Sequence, residues 1–171
     1  MPAIYKFFCS ILCVMILVLF FNGCSVSDGV GNSVTITIEG EPQQEWTDGI
    51  TASFYESPHG TIPADVTAIT TNSVDFPSII IYFDGQAAAS YDITAVLSFV
   101  CYIDGGGQIY LAITGLGDCS GTINVTSYGA VGERIEGTFD IMIDKFLGAD
   151  PSGNLVNATG SFSVRREANT P

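Results

Sequence analysis

The stretch Arg134–Asp144 narrows the fold more than any other part of the chain. Ile135, Gly137, Phe139, Ile141 and Ile143 fall on one parity, and Glu136, Thr138, Asp140, Met142 and Asp144 on the other. A period of two marks a strand with one buried and one wet side, because successive side chains of a strand point to opposite faces. A helix would scatter the same residues around its circumference. Gly137, on the apolar side, leaves room for a bulge or a close crossing. Ser33–Glu39 alternates in the same way, with Val34, Ile36 and Ile38 on one face.

Further strands are expected over 50–56, 66–71, 78–83, 93–103, 108–114, 121–128 and 161–165. Turn residues separate them: Asp48-Gly49, Pro58-His59-Gly60, Asp84-Gly85, Asp104-Gly105-Gly106-Gly107 and Asp150-Pro151-Ser152-Gly153-Asn154. The two segments flanking Asp104–Gly107 read as a hairpin. Trp46, isolated in a polar segment, is expected to plug one end of the core. Only Gln86–Tyr91, with Ala87-Ala88-Ala89, favours helix, and it is a few residues long. The reading is all-β: an antiparallel β-sandwich of about 7–9 strands, with an open β-barrel as the alternative. The crossover helices of a βαβ fold are missing.

The N-terminus carries an address. Lys6 precedes an apolar run from Phe7 to Phe21, closed by Asn22-Gly23-Cys24-Ser25. That is the layout of a signal peptide, helical if unprocessed; it is short for a membrane span and has no basic flank behind it. Phe21-Asn22-Gly23-Cys24 resembles the lipobox of bacterial lipoproteins, although Phe21 stands where Leu is usual and Asn22 is bulkier than the common residue. The resemblance implies a diacylglycerol thioether on Cys24, cleavage before it, and acylation of the new amino group with palmitate-like chains. Ser25, rather than Asp, after the Cys implies an outer-membrane lipoprotein of a bacterial cell envelope. The alternative is an ordinary secretory signal and a secreted protein.

The expected organisation is a lipoprotein signal peptide over 1–23, a flexible tether over 24–32, the β-sandwich domain over 33–165 and a frayed tail over 166–171. A body of that size buries about two thirds of its unfolded surface and supports one core. All 18 acidic residues follow Cys24, where only Arg134, Lys145, Arg165 and Arg166 oppose them. Such a surface repels nucleic acid phosphates and anionic headgroups, so a nucleic-acid role is excluded unless a local patch defeats the global field. The expected membrane contact is through the acyl chains instead. Cys9 and Cys13 leave with the signal. Cys101 and Cys119 then form an even pair in an oxidising space, and a disulfide between them is expected, worth about 3 kcal/mol on the chain-entropy account. Two buried thiols are the alternative.

Gly121–Gly129, Arg134–Phe139 and Gly160–Val164 together resemble the ending of small all-β domains of uncharacterised bacterial lipoproteins. In these a Ser-Gly-Thr strand, here Ser120-Gly121-Thr122, leads to a Gly-Thr-Phe strand, here Gly137-Thr138-Phe139. A closing Gly-x-Phe strand follows, here Gly160-Ser161-Phe162. The resemblance implies an extracytoplasmic β-sandwich and assigns no catalytic residue.

Chemistry is sparse. His59 is the only histidine and sits in a turn, with no distant base or nucleophile selected by the sequence. Glu136, Asp140 and Asp144 share a strand face, and paired carboxylates are what a glycosidase needs, but that face is also where solvated charge belongs. A glycan-binding face would draw on Tyr55, Tyr82, Tyr102, Tyr110 and Tyr128. Calcium is the best cofactor reading: Asp150, Ser152 and Asn154 offer oxygens at alternating positions, with Asp144 expected nearby. This is not an EF-hand, since Leu155 and Ser161 stand where its Gly and Glu belong. The expected function is a noncatalytic, lipid-anchored module that binds a protein or glycan of the envelope. Self-association through exposed strand edges is the alternative, and a small hydrolase is a weaker one.

Overall fold

The computed structural model describes residues 31–55, 66–71, 77–95, 98–115, 118–147 and 150–169. Cys24, the apolar N-terminal run and His59 lie outside them. Among the described residues the chain forms eleven strands in one antiparallel sheet. They are β1 (Ser33–Ile38), β2 (Gln44–Trp46), β3 (Ile50–Tyr55), β4 (Val66–Thr71), β5 (Ser78–Asp84), β6 (Ser90–Asp92), β7 (Phe99–Ile103), β8 (Ile109–Ile113), β9 (Ser120–Tyr128), β10 (Arg134–Leu147) and β11 (Asp150–Arg165).

The long hairpin of β10 and β11 is the spine, paired from Arg134↔Arg165 to Leu147↔Asp150 with a bulge between Asp144 and Phe146. β11 carries β1 on its other edge, and β2 lies outside β1. β10 divides its other edge. Ile135–Met142 pair with β9, which holds β6, whereas Asp144 and Lys145 pair with β8. From β8 the order continues through β7, β5, β4 and β3. β3 then returns to the spine: Ala52 bridges Arg166 in parallel, and the Glu167 amide donates to the Ala52 carbonyl at 2.8 Å. The expected all-β antiparallel architecture is present, and its layers belong to one sheet nearly closed into a barrel.

The alternation that suggested strands also builds the core. Val34, Ile36, Ile81, Phe83, Ile123, Ile141 and Phe162 all point into one buried cluster, each contributing about 1.5–3 kcal/mol by leaving water. Gly137 fulfils both uses open to it. The β9 register shifts between Glu136 and Gly137, and Gly137 pairs with Phe162. A Cβ there would stand 2.5 Å from both the Phe162 ring and the Asn124 carbonyl. The neighbouring pair repeats the device in reverse, Phe139 lying across from Gly160.

Several boundaries shift. The expected strand over 93–103 contracts to Phe99–Ile103, because Asp92 accepts bonds from the Thr94 amide (2.8 Å) and hydroxyl (2.7 Å) and turns the chain. The segment favouring helix instead leads into β6. Asn32, placed at the end of the expected tether, is buried: its amide reaches the Ile50 carbonyl at 3.4 Å, and its oxygen accepts the Arg165 amide at 2.9 Å. Nor does the chain fray at Arg166. Its amide donates to Glu133 at 2.7 Å and its carbonyl accepts from Gly132 at 2.9 Å.

Candidate functional site

β11 carries its alternation one residue past its own end. Arg166 shares the parity of Phe162 and Val164 and turns into the barrel, where it is only 9% exposed. Its guanidinium carbon lies 5.1 Å from the Tyr128 ring centroid and 5.7 Å from that of Phe54. Stacking on ring faces suits a planar, weakly hydrated cation. The hydrogen-bond partners are all neutral: Nη1 donates to the Gly129 carbonyl (3.3 Å), and Nη2 to Gln86 Oε1 (3.3 Å) and Asn169 Oδ1 (2.7 Å). Nε is buried with no partner. A guanidinium has five N–H donors, so only part of its capacity is used.

The surroundings are built with equal care. Thr67 is fully buried; its hydroxyl donates to the Gly85 carbonyl at 2.7 Å and lies 2.8 Å from the Tyr128 hydroxyl. Tyr91 packs on Phe83, centroids 4.9 Å apart, and its hydroxyl donates to the Ala87 carbonyl at 2.8 Å. Burial pushes the Tyr128 hydroxyl above the usual tyrosine range, while Thr67 and the Arg166 charge pull it back. Sequence reading missed this end because Arg166 fell in the presumed tail. The signal was present in the parity it shares with Phe162 and Val164.

The opposite end is organised around Tyr110. Its hydroxyl donates to Glu41 Oε1 at 2.7 Å, and Lys145 Nζ lies 5.6 Å from its ring centroid. Tyr102 packs against it at 5.7 Å, and Trp46 meets Tyr102 edge-on at 6.3 Å while donating to the Pro77 carbonyl at 3.1 Å. Trp46 is thus part of β2 and helps close this end of the core.

The five tyrosines proposed for a glycan face do not assemble. Tyr102 and Tyr110 lie at one end and Tyr128 at the other. Tyr55 and Tyr82 belong to a second apolar cluster, with Val66, Ala68, Phe99, Leu111 and Phe146. There Tyr82 stacks on Phe99 with centroids 4.8 Å apart.

The carboxylates of β10 are separated and individually occupied. Glu136 accepts from Ser163 at 2.9 Å and Asp140 from Asn157 at 2.9 Å. Four residues of strand span about 13 Å, too far for the roughly 5–9.5 Å of glycosidase pairs.

Of the residues read as a calcium set, Asp144 lies beside Ser152, and the side chain of Asp150 lies outside the described residues. Asp144 is 0% exposed and faces donors: the Ser152 amide (3.1 Å) and hydroxyl (3.0 Å), and the Gly153 amide (3.1 Å). The Ser152 hydroxyl in turn accepts the Asn154 amide at 3.0 Å. Asp144 therefore caps the turn in which Gly153 adopts a φ of 74°. Among the described residues no cluster of three acids, histidines or cysteines gathers. Asp104 plays the same part in the β7–β8 turn, accepting the Gly106 and Gln108 amides at 2.8 Å.

No disulfide joins Cys101 to Cys119. They occupy opposite faces of the sheet. Cys101 packs against the Tyr82–Phe99 cluster, and Cys119 lies in the main core, its thiol 3.6 Å from the Leu111 carbonyl. Burial pushes the Cys119 thiol up, which makes it a poor nucleophile.

No family model, no curated protein and no solved structure matches this chain.

Proposed function

We propose that this chain is a noncatalytic binding module of a bacterial envelope, held to the membrane by acyl chains on Cys24. The observation that carries the binding role is Arg166, a buried cation with neutral partners in a chain of 18 acidic residues. An isolated buried charge is costly without a counter-charge. A fold that retains one in an aromatic setting is arranged to receive an anion. The anchor rests on the lipobox-like Phe21–Cys24 and on how few residues separate it from the sheet. Gly31 is seven residues beyond Cys24, and its carbonyl accepts a 2.6 Å bond from Arg134 Nη2. Seven residues reach at most about 25 Å, which would keep the sheet close to the bilayer.

Assembly by strand addition has less support. Of the outer strands, β2 and β6 are three residues each and offer a partner little hydrogen-bonding length, and six-residue β3 already bridges Arg166 through Ala52. The intact mass of the chain isolated from its native membrane tests the anchor. A diacylglycerol-modified polypeptide beginning at Cys24 is expected. A chain that keeps residues 1–23, or one that starts elsewhere without lipid, overturns it.

A further inference from the structure

We infer that the Arg166 end of the barrel is a carboxylate-binding site, taking a ring-bearing organic acid such as a uronate or an aromatic acid. The inference deepens the binding reading and is independent of the anchor. Three observations converge on it. Arg166 is nine-tenths buried, its Nε has no partner, and none of its hydrogen bonds goes to an acid. Fully buried Phe54 backs the guanidinium, and half-buried Tyr128 beside it supplies an apolar surface for the body of a ligand whose carboxylate meets the charge. Finally, the two oxygens on Nη2 are amide oxygens, Gln86 Oε1 and Asn169 Oδ1, and both residues are exposed at the surface.

The amide oxygens occupy positions that a ligand's carboxylate would take. A charge-assisted hydrogen bond is roughly twice as strong as a neutral one, and the planar guanidinium matches a carboxylate in two-point geometry. The acid therefore displaces Asn169 from Nη2, and the covering amide swings outward to water. No bond is made or broken. The ring of the ligand lies against half-buried Tyr128, which sets the preference for a cyclic acid over a simple anion.

The test is thermal unfolding and calorimetry on the chain as isolated from its membrane, in detergent at constant ionic strength. Sodium glucuronate is compared with glucose, and sodium benzoate with benzyl alcohol. At least one acid should raise the unfolding midpoint in a concentration-dependent way, as a ligand selective for the native state must, while its neutral counterpart does not. Asn169→Asp supplies a carboxylate from within. It should raise the midpoint without any probe and weaken acid binding at least about tenfold, the effect of filling the site. Asn169→Ala uncovers Nη2 and should tighten binding. Arg166→Gln should abolish it, and if that variant fails to fold the Asn169 pair decides the matter alone. No response to either acid, equal responses to acid and neutral probe, or undiminished binding by the Asp variant would each overturn the site. A lipid-free mass with intact acid binding would remove the anchor and leave the site standing.

Discussion

The two ends of the barrel use the same parts to opposite effect. At each, a cation lies over tyrosine: Lys145 over Tyr110, and Arg166 over Tyr128 and also over Phe54. At the Lys145 end the same tyrosine donates to Glu41, so both charge signs meet on one ring. At the Arg166 end the partners are carbonyl and amide oxygens alone. One end is electrostatically complete and serves as a plug. The other holds a cation that meets no acid among the described residues, in a chain with acids to spare. The difference is one of placement rather than composition, because an acid within reach of Arg166 would have cost nothing in solubility.

The largest expected effect comes from breaking the complete end. Tyr110→Ala removes a ring that is 2% exposed and touches Tyr102, Glu41 and Lys145. It should cost about 3–5 kcal/mol in urea-induced unfolding, the range for a large aromatic truncated to a cavity. A loss below about 1 kcal/mol would mean that this end is not packed as described.

Alkaline titration comes next. Burial, and then the bond to Glu41, push Tyr110 well above the usual range, and burial does the same to Tyr82. A raised folded-state pKa means that the native state holds its proton longer than the unfolded chain. The stability is therefore fully present below about pH 10 and is lost above it, as unfolded tyrosines ionise first. Tyrosinate absorbance should show these groups ionising together with unfolding rather than before it. Independent ionisation of Tyr82 and Tyr110 near pH 10 in a still-folded chain would contradict their burial.

Arg166→Met sharpens the contrast. Replacing a buried charge that lacks a counter-ion with an apolar side chain of similar reach should change stability by no more than about 1 kcal/mol in either direction. It should also raise the Tyr128 pKa, since the Arg166 charge is one of the influences holding it down. A destabilisation of several kcal/mol would reveal a compensating partner for Arg166. The smallest effect is expected for Glu41→Gln, which keeps an acceptor for Tyr110 but removes its charge. Stability should fall by less than about 1 kcal/mol and the tyrosine should ionise at lower pH, because the Glu41 charge helps to raise it.

Much of the strand plan was open to reading because it depends on neighbours in sequence. The alternation of Val34, Ile36 and Ile38, and of Ile135 through Ile143, needs only the pleat to become an inward face. Asp104–Gly107 likewise turned where its residue chemistry said it would. Reading failed where partners lie far apart along the chain. Asp144 is expected beside the Asp150–Asn154 turn and lies there, but nothing local marks it as the acceptor of that turn's amides, and nothing local separates Cys101 and Cys119 onto opposite faces. A slip of one residue in parity reverses a side chain, so a thiol pair judged by loop length alone is undetermined.

Sequence alone determined that this chain is a sheet with apolar and polar sides, since period-two patterning admits little else. It also supplied the lipobox-like run on which the proposed anchor depends. The tertiary structure decided how the sheet closes on itself, and with that closure the surroundings of Arg166. Phe54, Gln86, Tyr128 and Asn169 come from four separate parts of the chain, and only the return of β3 to the end of β11 brings them around one guanidinium. Electrostatic and hydrogen-bond energies depend on distance in space, and sequence separation does not report that distance.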